Sequence, residues 1–309
     1  MTKRLITIAT RESPLALRQA EWVRDQLQKL HPHLAVEFLG ITTQGDKRLD
    51  VALRKIGGKG LFVKELEEAL LDGRADIAVH SIKDVPMELP PGLCMPVICE
   101  REDPRDAFVS NQYHSIMEMP RSAVVGTASL RRQTQLRAMR SDLELVDLRG
   151  NMNTRLKRLD DGDFAAIILA GAGLKRLGLP QRIRAYFSVE DSLPAAGQGA
   201  LGIECRDDAE AIQQLIAPLN HIKTAQAVTA ERAVCRRLQG GCSVPLAAYA
   251  EVHHGELSLR ALVSNYAGTR ILRSRLAGAA ENANEIGLRV GEELLQQGAE
   301  KILKEFHDN

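Results

Sequence analysis

Apolar residues along this 309-residue chain fall into two kinds of pattern. Some form short unbroken runs, the mark of strands buried on both faces; others recur at helical spacing and form the stripes that cover such a sheet. Residues 5–9 make the first strand-like run. Ser13 and Pro14 follow: serine offers an oxygen to the free N–H groups at a helix start, and proline needs no partner in the first turn. Ala16, Ala20, Val23, Leu27 and Leu30 then recur at spacings of four and three, one face of a helix. Residues 35–41 read as a second strand. Val63, Leu66 and Leu70 mark another helix closed by Gly73, and residues 77–79 a third strand.

The same order then recurs. Residues 124–126 are a strand, Thr127-Ala128-Ser129 parallels Thr10-Arg11-Glu12-Ser13, a helix spans 130–139 and a strand 143–148. Residues 165–169 add a buried strand, 171–177 a short helix and 200–205 a further strand. A charged stretch at 100–106 and a glycine-rich one at 192–199 read as crossings, so the chain is expected to leave a first α/β domain and later return to it. From about His221 the style changes to a helix, short strands at 246–252, 257–263 and 270–275, and a long helix over 283–303. The expected domains are 1–99 with 200–219, then 100–199, with hinges near 99–105 and 193–200, and a small α+β domain over 220–309.

Composition excludes several function classes. Hydrophobic residues at 44% and charged ones at 26% suit a soluble globular protein. Forty-one basic residues against forty acidic ones argue against a nucleic-acid or membrane-surface binder. No run is long enough to span a bilayer, and Arg11 interrupts the only apolar stretch near the start. Five cysteines without a Cys-x-x-Cys pair fit neither a disulfide framework nor a zinc ribbon, so a reducing cytoplasm is expected. Cys235, Cys242, His253 and His254 have no zinc spacing, and no metal is expected. The polar, glycine-containing stretch 43–60 reads as a lid carrying Lys55 and Lys59; its Gly57-Gly58-Lys59-Gly60 is no phosphate loop, because Leu61 stands where Ser or Thr is required.

Against that neutral background, residues 121–158 hold eight arginines and one lysine with three acids. Arg131 and Arg132 open a helix, Arg149 ends a strand, Arg155 lies in the turn after it, and Arg11 holds the matching strand end of the first copy. Strand ends and helix starts are where α/β folds bind ligands, and arginine's planar fork suits carboxylates and phosphates. The expected ligand is a large polyanion. Asp84, held by the turn before Pro86, has two readings: a partner for one of these cations, or a lone acid–base and cation-stabilising group. His80 reads as a hydrogen-bonded structural histidine. Cys242, in Gly240-Gly241-Cys242-Ser243-Val244-Pro245, also has two: a small apolar core residue, or a sulfur approachable over glycines that end the preceding helix.

Five motifs together resemble the hydroxymethylbilane synthases, or porphobilinogen deaminases, in that family's order. They are His80-Ser81-Ile82-Lys83-Asp84-Val85-Pro86, Gly126-Thr127-Ala128-Ser129-Leu130-Arg131-Arg132, Leu148-Arg149-Gly150-Asn151, Leu193-Pro194-Ala195-Ala196-Gly197-Gln198-Gly199, and the Cys242 loop. The resemblance implies two periplasmic-binding-protein-like (type II) α/β domains plus a small α+β C-terminal domain. It implies a dipyrromethane cofactor covalently attached at Cys242, on which four porphobilinogen molecules are joined head to tail with loss of ammonia. Each pyrrole ring carries an acetate and a propionate, which accounts for the arginines. By the same resemblance a buried Asp84 carboxylate stabilises the charge that develops on the pyrrole nitrogens. Lys83, Thr127, Ser129, Arg131, Arg132 and Arg155 would hold the cofactor. Arg11, Ser13, Phe62, Arg149, Arg155, Arg176 and Gln198, with Lys55 and Lys59, would line or cover the substrate site. The tetrapyrrole product would pass on to cyclisation, and nothing requires more than a monomer.

Overall fold

The computed structural model describes residues 5–47, 60–241 and 244–307. The first α/β domain opens with β1 (Leu5–Arg11), α1 (Pro14–Leu30) and β2 (Ala35–Ile41). It continues through a short α2 (Gln44–Lys47), α3 (Lys64–Leu71) and β3 (Ile77–Ser81), then a 3-10 turn over Ile82–Asp84 and β4 (Leu93–Ile98). Ser13 caps α1 by accepting from the Ala16 N–H, and Ala16, Ala20, Val23 and Leu27 are buried. Val23 and Leu27 pack on Ile6, Ile8 and Ile77 of the sheet, each such side chain contributing about 1.5–3 kcal/mol of transfer free energy. Leu30 departs from its expected face: it ends the helix 46% exposed, because the apolar stripe has run past the edge of the sheet.

The second domain contains β5 (Asp106–Val109), β6 (Val124–Gly126), α4 (Leu130–Met139), β7 (Glu144–Val146), α5 (Met152–Asp160), β8 (Ala166–Ala170), α6 (Gly171–Arg176) and β9 (Ala185–Tyr186). The chain then returns to the first sheet as β10 (Leu201–Arg206), followed by α7 (Glu210–Ile216). Two sequence expectations change here. Asp106, read as part of a polar crossing, is the first residue of a fully buried strand, and Arg155, read as a turn residue, lies inside α5.

The two sheets repeat one plan. The first has the order β2-β1-β3-β10-β4 and the second β7-β6-β8-β5-β9. In each, three parallel strands are followed by an antiparallel strand supplied by the segment that has just crossed between domains. The crossing strand therefore starts where its parallel neighbour ends: Leu201 faces Ser81, and Asp106 faces Ala170. Both crossings thus emerge at the carboxyl ends of the parallel strands, the edge where α/β sheets present ligand sites.

The C-terminal domain packs α8 (Ile222–Arg237) on an antiparallel sheet of β11 (Leu246–His253), β12 (Glu256–Ser264) and β13 (Ile271–Ala279). The single long closing helix expected from the sequence is two, α9 (Ala283–Gln296) and α10 (Ala299–His307). Gly298 between them adopts φ +97°, which glycine alone takes without strain. Glycines do not end α8 as expected: Gln239 takes the left-handed conformation at φ 51°. Gly240 is needed for space, since a Cβ there would stand 2.6 Å from Leu246 Cδ2.

Glu231 of α8 joins the three domains. Its carboxylate takes two parallel bonds from Arg101 in the first crossing, at 2.8 and 2.9 Å. It also accepts from the Gly197 N–H in the second crossing at 2.7 Å and from the Ala250 N–H in β11 at 2.8 Å. With Glu231 at 0% exposure, both crossings are bonded to the C-terminal domain through one fully satisfied buried carboxylate.

Candidate active site

A cleft of about 560 Å³ runs between the domains, where the parallel strands end. The first domain lends Arg11 and Ser13 after β1, Phe62, and Lys83 with Asp84 from the 3-10 turn. The second lends Thr127, Ser129, Arg131 and Arg132 around the start of α4, Arg149 and Arg155 around the start of α5, and Arg176 at the end of α6. Gln198 comes from the second crossing, and Cys235, Gly241, Val244 and Leu246 from the C-terminal domain. Every candidate among the described residues borders this one space. Lys55, Lys59 and Cys242 lie outside the described residues; Gly241 and Val244, the described residues on either side of 242–243, border the cleft.

Among the described residues, seven cationic side chains face three carboxylates (Glu12, Asp46 and Asp84) along the lining. They are engaged to different degrees. Arg131 and Arg132 are held against Asp106: Arg131 donates to both its oxygens at 2.8 and 3.1 Å, and Arg132 Nε to Oδ1 at 2.9 Å. Arg131 also donates to the Leu193 carbonyl at 2.7 Å and Arg132 to that of Ile168 at 3.1 Å. Gln198 and Ser192 complete the Asp106 shell at 3.0 and 2.9 Å. Burial works against the Asp106 carboxylate, yet the two guanidiniums outweigh it and hold the group far below its ordinary range. Removing one member of such a network strands buried charge. Asp106→Asn is therefore expected to lower unfolding free energy by about 3–5 kcal/mol in urea titration.

Lys83, Arg155 and Ser129 are less engaged. Arg155 gives Nε to the Gly150 carbonyl at 2.8 Å. Burial brings its guanidinium down to about 10, with Arg132 adding to the fall and Asp84 opposing it. Burial likewise pushes the Lys83 ammonium down to about 8 against the pull of Asp84. Water reaches Lys83, but protein surrounds it. Ser129 stands at the start of α4 without capping it, whereas Ser13, its counterpart, caps α1. The Ser129 hydroxyl is thus left to the cleft.

Arg11 is held by Asp46 of α2 and lies over the Phe62 ring, 4.4 Å from its centroid. Arg149 pairs with Asp147 at 3.1 Å, and Arg176 donates to the Gly199 carbonyl at 2.6 Å. Asp84 differs from the expectation of a buried carboxylate: its side chain is open to the cleft. It makes no hydrogen bond or ion pair with a described residue, while its charge acts on Lys83, Arg132 and Arg155.

Residues 6–214 match the family model described as "Porphobilinogen deaminase, dipyromethane cofactor binding domain", and residues 225–296 match "Porphobilinogen deaminase, C-terminal domain". The chain belongs to the porphobilinogen deaminase family. It is a transferase of tetrapyrrole synthesis that polymerises porphobilinogen on a dipyrromethane cofactor. In outline it is also similar to solved binding proteins. One is a nutrient binding protein from Burkholderia cenocepacia bound to methionine, at 13% identity over 68% of this chain and 90% of that one, TM-score 0.43. Another is the periplasmic aliphatic sulphonate binding protein from Escherichia coli, at 15% identity over 77% and 71%, TM-score 0.40.

The lining fits the family's cofactor. A dipyrromethane carries carboxylates on both rings, and Lys83 and Arg155 offer cationic donors with no carboxylate bonded to them among the described residues. A Cβ built on Gly241 meets nothing within 4 Å, so there is open space at that position. Among the described residues no helix is long and apolar enough to cross a membrane.

Sequence reasoning missed Asp46, Asp106, Arg101 and Glu231. Of these only Asp106 left a signal, the apolar Ala107-Phe108-Val109 directly after it.

Proposed function

We propose that Cys242 anchors the cofactor by a thioether and that Asp84 is the catalytic carboxylate acting on each incoming porphobilinogen. The observation that carries this reading is that the neighbours of Cys242 border one cation-rich cleft with Asp84, which has no partner among the described residues. When bound, the dipyrromethane supplies a pyrrole ring whose free α-position takes up the next unit. Lys83, Arg155 and the Ser129 hydroxyl bind its carboxylates, with Arg131, Arg132 and Thr127 forming the wall behind them. Arg11, Arg149 and Arg176 orient the acetate and propionate of the substrate, aided by Ser13, Phe62 and Gln198; Lys55 and Lys59 cover it.

Asp84 accepts from the pyrrole N–H and offsets the positive charge that develops there as the amine leaves. Its carboxylate also holds the protonated amine, which leaves as ammonia. The proposed domains are 1–99 with 200–219, 100–199 and 220–309, and hinge motion between them makes room for four additions. The protein acts as a cytoplasmic monomer that passes its product to cyclisation.

Arg149 tests the elongation part of this reading. Its guanidinium is tethered to an exposed carboxylate at 3.1 Å and stands at the mouth of α5. Loss of one charge-assisted contact of about 1.5–3 kcal/mol corresponds to roughly 10–100-fold in rate. Arg149→Ala is expected to stall with fewer than four units on the enzyme, seen as a shortened ladder by intact mass. Unaltered tetrapyrrole output would remove Arg149 from elongation.

A further inference from the structure

Three ionisable side chains meet in the core of the first domain, apart from every residue assigned above. Glu67 of α3, His80 of β3 and Glu204 of β10 are 6%, 5% and 0% exposed. His80 Nε2 lies 2.9 Å from Glu204 Oε2. Even so, Glu67 Oε1, His80 Nε2 and both Glu204 oxygens lack an aligned hydrogen-bond partner among the described residues. Buried ionisable groups left in this way are rare and costly, and call for a reason.

The three elements are the ones that lead into the site. α3 follows Phe62, β3 runs directly into the turn bearing Asp84, and β10 begins just past Gly199. That turn is clamped to the start of β10: the Ile82 N–H donates to the Ala200 carbonyl at 3.1 Å. Gly202, paired with His80 in register, lies under the Ile82 side chain, and a Cβ there would be 2.4 Å from Ile82 Cδ1.

We infer that Glu67, His80 and Glu204 form a proton-sharing cluster that positions the 82–84 turn, an inference that rests on Asp84 acting from that turn. A proton held on Glu67 leaves an uncharged carboxyl beside the His80–Glu204 contact. Burial, with Glu204 adding and His80 opposing, raises the Glu67 carboxyl to about 7. The other charges near it are Glu68 on its own helix and Arg206 of β10, which donates to the Leu70 carbonyl at the far end of α3. β1 and β4, which also pack on α3, present Ala9 and Leu93. Above pH 7 a second carboxylate charge faces Glu204 across the α3–β10 contact and loosens the strand pair that holds the turn.

The sign of the stability effect follows from the raised value. The folded protein holds this proton more tightly than the unfolded chain, so the contribution is present below about pH 4.5 and lost as pH rises to about 7. The test is Glu67→Gln in the holoenzyme, followed by thermal unfolding and by ammonia release across that range and up to pH 8.5. The variant is expected to gain about 3 °C in Tm on the unsubstituted protein between pH 5 and pH 8. Its ratio of rates at pH 8 and pH 6 is expected to rise roughly twofold, in kcat and not in KM. Parallel Tm curves would show that no proton is held there, whatever Asp84 does, because that measurement needs no turnover. Diverging Tm curves with superimposed rate profiles would confine the cluster to the core and overturn its positioning role. Whether Asp84 itself is catalytic is decided separately by Asp84→Asn.

Discussion

Cys242→Ser protein is expected to have the mass of its sequence and to release no tetrapyrrole, and the unsubstituted protein is expected to be heavier by one covalently held dipyrrole. A thiolate is an effective nucleophile near neutral pH and a serine hydroxyl is not, so the thioether has no oxygen equivalent in this setting. Cys235, a cysteine that borders the cleft, does not substitute. Cys235 is 5% exposed inside α8, and burial pushes its thiol up to about 12, leaving almost no thiolate at neutral pH. The cleft lining is unchanged by the substitution, so the variant should fold and still bind porphobilinogen carboxylates without retaining product. Cys235→Ser serves as the control and is expected to keep the extra mass. An unchanged mass excess in Cys242→Ser would place the anchor elsewhere.

What was legible in the sequence follows from what each signal depends on. Short apolar runs gave β1, β6 and β8, because burial leaves little room for polar residues. β2 was legible despite Glu37, although it is an edge strand with no buried residue. The Thr-x-Ser pair before α1 and α4 revealed the repeated unit, since both helices start after a strand end. It did not reveal that Ser13 caps and Ser129 does not, a difference of local geometry between two residues of the same type. Leu30 and the break at Gly298 were misread because a stripe can outrun its sheet, and a glycine ends a helix only where the next helix packs.

The charged groups that set the geometry were the least visible. Asp106 meets Arg131 across 25 residues, and Arg101 meets Glu231 across 130, so each half reads alone as solvated surface. Arg131 and Arg132 were expected to offer their forks to the ligand; they form the wall, but Asp106 already takes their best donors. The cations left with donors for a ligand sit beside them, at Lys83 and Arg155. That division would let one arginine pair fix the shape of the cleft while the proposed binding role falls to its neighbours.

Asp84→Asn is expected to leave folding and cofactor attachment nearly intact while lowering turnover by about 100–1000-fold, the loss typical of one group aimed at developing charge. The amide keeps the shape and an acceptor oxygen, so any effect reports the charge. Folding should be spared because Asp84 is open to the cleft and bonds no described side chain. Binding of carboxylate-bearing substrate should not weaken, since removing an anion from a cationic cleft strengthens its field for anions. The loss therefore falls on kcat and not on KM, and ammonia release under saturating porphobilinogen measures it directly. A second consequence separates charge from shape. Asp84 supports the protonated state of Lys83, whose ammonium already stands at about 8. Without that carboxylate Lys83 loses its proton at lower pH, so retention of the enzyme-bound chain should begin to fail below pH 8, earlier than in the unsubstituted protein. Normal ammonia release by Asp84→Asn would remove this carboxylate from the chemistry, and an unmoved alkaline limb would uncouple it from Lys83.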